Sequence, residues 1–174
     1  MQPSARSATA RSKALARGEH AFDIKVGANT GLAVVGNVGS DKRFNYTAVG
    51  EAVNIAARLE GLPGVYRNRV IIGPETATRI GDRYRLREID AVTVKGKDEP
   101  LRIYEPAVDA PPRFAPYEKA LALYRDRQFS AAAEIWETLA EDDGPSAVMA
   151  ERARNYALDP SPEDWDGVFA MTGK

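Results

Sequence analysis

In the stretch "YTAVGEAVNIAARLEG", residues 46–61, Asn54 and Arg58 stand four positions apart in a run that otherwise reads as an Ala/Leu-type helix. Four residues make about one helical turn, so both side chains leave the same side, with Cβ atoms about 5–6 Å apart. An amide donor beside a planar guanidinium suits a phosphate or a developing oxyanion. Asn is a poor interior helix former, because its amide competes for backbone hydrogen bonds. Something must compensate for it, or it is there for chemistry. The bland alternative is an Asn bonded to backbone and an Arg salt-bridged to an acid.

On a wheel of about 100° per residue, Ala52, Ile55, Ala56 and Leu59 form an apolar stripe. Glu51, Asn54 and Arg58 form a narrow polar stripe, with Val53 and Ala57 on its other side. A solvated helix face is usually broad. A thin polar seam between apolar flanks is expected to face a cleft or a subunit interface.

Other chemistries find little support. There is no cysteine, which excludes disulfides, Cys-ligated zinc and thiol catalysis. His20 is the single histidine and lies in a polar N-terminal segment, poor ground for a catalytic triad. "GLAVVGNVG" has phosphate-loop glycine spacing at Gly31 and Gly36 but lacks the Lys-Ser/Thr that should follow. Its residues read instead as a tight strand-to-strand connection with glycines supplying unusual backbone angles. A net charge of −1 gives no general pull toward nucleic acid or an anionic membrane. No apolar run approaches the ~18 residues of a membrane span.

The elements that must hold the seam follow from periodicity and punctuation. "FDIKVGANTG" begins with strand-like alternation. "NRVIIG" is a buried-type strand, and "PETATRI" a short helix with Pro at its start. "YRLREIDAVTVKGKDEPLRIYEP" reads as two strands around a charged turn. "DAPPRFAP", with three prolines, reads as a linker. Beyond it the periodicity predicts three helices, with a break near Asp126–Gln128, "DDGPS" as a stop and start signal, and an end near Leu158. Small Ala120 and Ala132 sit where two helices must approach closely. The spacing is similar to a tetratricopeptide hairpin, too short for a solenoid. The tail is expected to pack on the first domain or on a second chain.

"VGANTGLAVVGNVGSDKRFNYTAVGEAVNIAARLEG", followed later by "VKGKDEPLRIYE", resembles the C-terminal half of a class III nucleotidyl cyclase catalytic domain, over about residues 15–108. The tail is similar to the C-terminal extension of bacterial multidomain adenylate cyclases of that class. The resemblance implies an α+β fold: the C-terminal part of a ferredoxin-like cyclase domain (1–108), a Pro-rich linker (109–116) and a small all-α tetratricopeptide-like tail (117–174). It implies conversion of ATP to cyclic AMP and pyrophosphate at a dimer interface, in a homodimer or a heterodimer with another cyclase catalytic domain. The ribose 3′-hydroxyl would attack the α-phosphorus with help from two Mg²⁺ or Mn²⁺ ions. Asn54 falls on the ribose-orienting position and Arg58 on the one that stabilises charge on the phosphates. Thr47 falls on the base-reading position and favours ATP. Lys95, with Lys97 second, matches a phosphate-contacting lysine.

The family's N-terminal half should carry two metal-binding aspartates and an adenine-selecting lysine, and no residue here matches them. The ions are therefore expected on residues absent from this chain, and the chain alone is expected to be inactive. Sheet edges normally paired with the missing strands should be bare. The alternative is a catalytically inactive cyclase-like regulatory or dimerisation module. The expected location is the cytoplasm, with membrane anchoring of a longer parent left open.

Overall fold

The computed structural model describes residues 17, 24–40, 43–93, 99–159, 161 and 165–171. Two sheets are present. Val26–Ala28 (β1), Val70–Ile72 (β4), Leu101–Ala107 (β6), Arg85–Thr93 (β5) and Phe169–Ala170 (β7) form a five-stranded sheet in the order β1-β4-β6-β5-β7. Val34–Ser40 (β2) and Arg43–Val49 (β3) form a separate antiparallel ribbon, with Gly36 opposite Thr47. β1 and β4 run parallel, connected by the ribbon and the helix Glu51–Val65 (α1). The short helix Pro74–Ile80 (α2) follows β4, and β5 and β6 pair as an antiparallel hairpin. The result is a mixed α+β fold, as the sequence implies.

α1 packs on β1 because its buried side carries Leu59, Leu62 and Pro63, with Tyr66 just beyond its end. The approach is close. A Cβ on Gly27 would lie 2.2 Å from the backbone nitrogen of Glu60, so only glycine allows this contact.

Three helices follow: Phe114–Arg125 (α3), Phe129–Glu137 (α4) and Gly144–Leu158 (α5). The breaks fall where the sequence places them. Asp143 caps α5, its carboxylate accepting from the Ser146 amide at 3.1 Å. Ala120 and Ala132 are fully buried. The segment 109–116 contributes Pro111 and Phe114 to the interior, and α3 starts inside it. One apolar cluster runs through the whole assembly. Leu59, Ile71, Ile89 and Ile103 of the sheet and α1 meet Tyr117, Tyr124, Trp136 and Met149 of the helices. The helices therefore pack on the sheet of their own chain.

Two expectations need correction. The tail is not all-helical, because β7 returns to pair in parallel with Val92 and Thr93 of β5. Met171 donates its amide to the Thr93 carbonyl at 3.1 Å, so the returning chain supplies backbone partners to an edge of β5. Gly36 and Gly39 belong to strand β2 rather than to a tight connection. Among the described glycines φ is positive at Gly81 and Gly167, not at Gly31 or Gly36. Gly31 is small for a different reason: a Cβ there would lie 2.6 Å from that of Ala52.

Buried ionic groups fasten the tail to the sheet. Arg87 of β5 is fully buried and donates to Asp143 at 2.7 and 2.9 Å, and also to Glu105. Its guanidinium lies 4.3 Å from the ring centre of Tyr117 and 4.9 Å from that of Phe114. Arg113 donates to Glu105 at 2.8 Å and approaches Asp143 at 2.9 Å. Burial alone would push the Asp143 carboxyl up. Hydrogen bonds from Arg87, its charge and the Ser146 donors outweigh burial and hold the carboxyl below its usual range. A second group joins Asp90 of β5, Arg152 of α5 and Tyr66.

A candidate active-site wall on the first helix

α1 begins after Gly50, whose carbonyl accepts from the Asn54 amide at 3.2 Å. Glu51 in the first turn suits the positive end of the helix dipole. The helix buries Leu59 and Leu62 and turns Asn54 outward to an exposed position. Arg58 is half-buried on the same side. At 1.5 Å per residue the two stand about 6 Å apart along the axis.

The bland alternative has no counterpart here. Among the described residues, the side chains of Asn54 and Arg58 make no hydrogen bond and no ion pair. The amide is not turned back onto the backbone, and the guanidinium is not neutralised by an acid. Asn54 is open to solvent, and the Arg58 guanidinium keeps its donors unused among the described residues.

Thr47 lies on β3, which leads directly into α1, and is exposed. The ribbon thus brings the hydroxyl to the N-terminal side of the same helix. Asn29 reinforces this junction, its amide donating to the Ala52 carbonyl at 3.3 Å. Thr30 and Thr76 share a hydrogen bond of 3.0 Å. Lys95 and Lys97 lie between β5 and β6, outside the described residues, as do His20 and nearly all of the N-terminal segment.

The ribbon that carries Thr47, its approach and the flank of β1 expose several apolar side chains. Leu32 is 96% exposed, Val34 77%, Tyr46 76% and Ile24 71%, and Val35 and Val49 are also open. Scattered exposed apolar residues are ordinary, but a concentration on one ribbon and one sheet edge marks a contact surface. A two-stranded ribbon is also marginal by itself in water. Sequence patterning missed this surface, because β2 and β3 alternate too weakly to betray two exposed faces.

Among the described residues, no three acidic or histidine side chains converge as a metal site needs. The described residues alone therefore do not fit a pair of divalent ions. A hollow of about 300 Å³ lined by Arg127, Phe129, Ser130, Tyr156 and Ala157 lies in the tail and includes no residue of α1 or β3. No helix among the described residues is long and apolar enough to cross a membrane.

A family model for the adenylate and guanylate cyclase catalytic domain matches residues 6–104. The terminal-differentiation-specific adenylate cyclase of Dictyostelium discoideum is 34% identical over 142 residues, which cover 73% of this chain and 7% of that protein. Adenylate cyclase 1 of Rhizobium meliloti is 38% identical over 84 residues, 48% of this chain and 13% of that protein. The crystal structure of the adenylyl cyclase CyaB from P. aeruginosa aligns with 32% identity and a TM-score of 0.48, covering 62% of this chain and 54% of that one. The chain spans only 7%, 13% and 17% of the length of three curated adenylate cyclases that it matches.

Proposed function

This chain belongs to the family of adenylate and guanylate cyclase catalytic domains, and from that premise we propose that it supplies one wall of a dimeric site converting ATP to cyclic AMP and pyrophosphate. In this reading Asn54 orients the ribose, Arg58 takes up charge as pyrophosphate leaves, and the Thr47 hydroxyl meets the adenine amino group. Lys95, between β5 and β6 in the sequence and outside the described residues, contacts phosphate. The opposite wall, with two Mg²⁺ or Mn²⁺ ions, comes from a second cyclase catalytic domain. The tail is tetratricopeptide-like and is fastened to the sheet behind this wall.

The observation that carries the reading is the outward pair Asn54 and Arg58, unpartnered among the described residues and set in an apolar surface. A half-buried guanidinium with no acid beside it keeps its charge and donors available for a ligand or partner. Arg58 gains most when charge develops on the departing phosphates, so it acts on the transition state more than on bound ATP.

The test pairs this chain with a cyclase catalytic domain that keeps its two metal-binding aspartates but has its own Asn and Arg replaced by alanine. The mixture with ATP and Mg²⁺ or Mn²⁺ is expected to make cyclic AMP where neither component alone does. Arg58→Ala is expected to lower kcat by ~10²–10³-fold with little change in KM. A silent mixture, or one indifferent to Arg58→Ala, would sink the reading. Stable pairing without turnover would favour a regulatory module instead.

A further inference from the structure

The helix that carries Asn54 and Arg58 is not anchored by the sheet alone. Its C-terminal end is held by the tail at two separate points. At the first, the Tyr66 hydroxyl, just past the last turn of α1, donates to Asp90 Oδ2 at 2.6 Å. Arg152 of α5 donates to the same oxygen, and its other terminal nitrogen lies 3.4 Å from the Tyr66 hydroxyl. All three side chains are buried. The Arg152 guanidinium is itself fixed, 3.5 Å from the ring centre of Phe169 on β7. Asp90 has no freedom either, because its second oxygen accepts from the Ala91 amide at 2.8 Å, where the β5–β6 register shifts.

The second point is backbone on backbone. Arg67, the next residue, has φ of +50°, a left-handed conformation that turns the chain sharply after α1. Gly144, the first residue of α5, packs against that turn so closely that a Cβ there would lie 2.2 Å from the Arg67 carbonyl oxygen. Helix α5 therefore touches the end of α1 through residues with no room to shift.

The geometry points to Arg152 as a positioning residue for the proposed catalytic wall: acting through Asp90 and Tyr66, it fixes the axial position and rotation of α1, and so the aim of Asn54 and Arg58. The inference rests on the cyclase reading for what α1 does, and on this structure alone for what holds α1. It makes the tail part of the catalytic unit rather than an appendage. Tyr66 is eight residues from Arg58, about 12 Å along the axis; Gly61, Pro63 and Gly64 interrupt the last turns, so the buried side chains of Leu59, Leu62 and Pro63, seated on the sheet, carry a displacement at one end to the other. Reacting groups tolerate little of this, since a misplacement of about 1 Å can cost ~10²-fold in rate.

The variants are Tyr66→Phe, which removes only the hydroxyl, Arg152→Lys, which keeps the charge, and Arg152→Met, which does not. In the paired assay above, Tyr66→Phe is expected to lower kcat per folded chain about tenfold with KM within about twofold, a fraction of the cost of a full ångström. Arg152→Lys is expected to recover most of what Arg152→Met loses. An unchanged kcat per folded Tyr66→Phe chain, with only a lower melting temperature, would reduce the group to a structural fastening and overturn the proposal. Amide hydrogen exchange of the chain alone supplies a readout independent of turnover. Tyr66→Phe is expected to speed exchange at residues 59–66 roughly tenfold while β4 and β6 keep their protection, as local opening predicts. No change, or a uniform one, would also overturn it. If the wild-type pair proves inactive, the cyclase reading fails and exchange alone decides whether the tail positions α1.

Discussion

The outward side of α1 and the contact between tail and sheet treat charge in opposite ways. Arg87 and Arg152 are buried and each meets an acid, an aromatic face or both. Arg58 is half-buried and has no hydrogen bond, ion pair or aromatic face among the described residues. The apolar side chains follow the same division. Tyr117, Tyr124 and Trp136 are fully enclosed at the tail contact, while Leu32, Val34 and Tyr46 stand open beside the seam. One region is completed within the chain. The other has the chemistry of a half-interface. A buried charge settles its desolvation cost locally or the fold fails, whereas a charge at a functional surface can wait for its partner.

Replacing Arg87 should break the completed region with the largest effect. Arg87→Met leaves Asp143 and Glu105 short of their shared donor, and loss of one partner from such a buried group costs about 3–5 kcal/mol. Urea unfolding is expected to show that loss. A change below about 1 kcal/mol would mean that Arg113 alone neutralises both acids.

Arg58→Ala sharpens the contrast from the other side. It should cost the paired enzyme about 3–4 kcal/mol in the transition state. The chain's own stability should move by less than about 0.5 kcal/mol, as at a surface site without partners. A large loss of stability in the same urea experiment would place Arg58 in the completed region after all.

Acid gives a smaller, graded separation. The Asp143 carboxyl titrates below its usual range in the fold, so its contribution is full above the unfolded value of about 3.9. It is lost as pH falls through the lower folded value. The urea midpoint should show no Asp143-linked change between about pH 7 and pH 5 and should fall below about pH 4. Asp143→Asn should flatten that acid limb. An equally steep limb in the variant would assign it to other carboxylates.

The smallest effect on stability is expected at the ribbon. Leu32→Ser, at a position 96% exposed, should change unfolding by under about 0.5 kcal/mol. It should nonetheless reduce self-association of the chain measured by light scattering. Unchanged association would mean that another surface brings copies together.

The outline of this division was partly legible in the sequence. The helices announced themselves through Pro and Gly punctuation and through the inward spacing of Phe129, Ala132, Ile135, Trp136 and Leu139, of which Phe129, Ala132 and Trp136 are buried and Ile135 and Leu139 half-buried. The seam was visible because two polar types interrupted an apolar helix at one-turn spacing. The buried charges were not, because Asp90 and Arg152 look like solvated residues when read alone. A signal was available: Asp90 interrupts the apolar run of "EIDAVTV", and Arg152 lies between Ala150 and Ala153 on a face of small residues. Strand β7 was illegible for another reason. Two residues carry no periodicity, and their pairing depends on an edge supplied some eighty positions earlier.

The order of the sheet leaves its two sides in different situations. On the β5 side the tail blunts the border: Phe169 and Ala170, a strand of two residues, pair with the end of β5, and the Tyr117 hydroxyl donates to the Ile89 carbonyl at 2.9 Å. At β1 nothing among the described residues pairs with the outer side. Such a molecule is monofunctional in the sense of polymer chemistry. With one reactive end, strand addition is consumed in a single step, and two copies meeting edge to edge leave no end from which to propagate. A sheet open on both sides could grow into a fibre. By ending the far side in a two-residue strand, the tail disfavours growth there and suits the pairs that the proposed two-walled site would need.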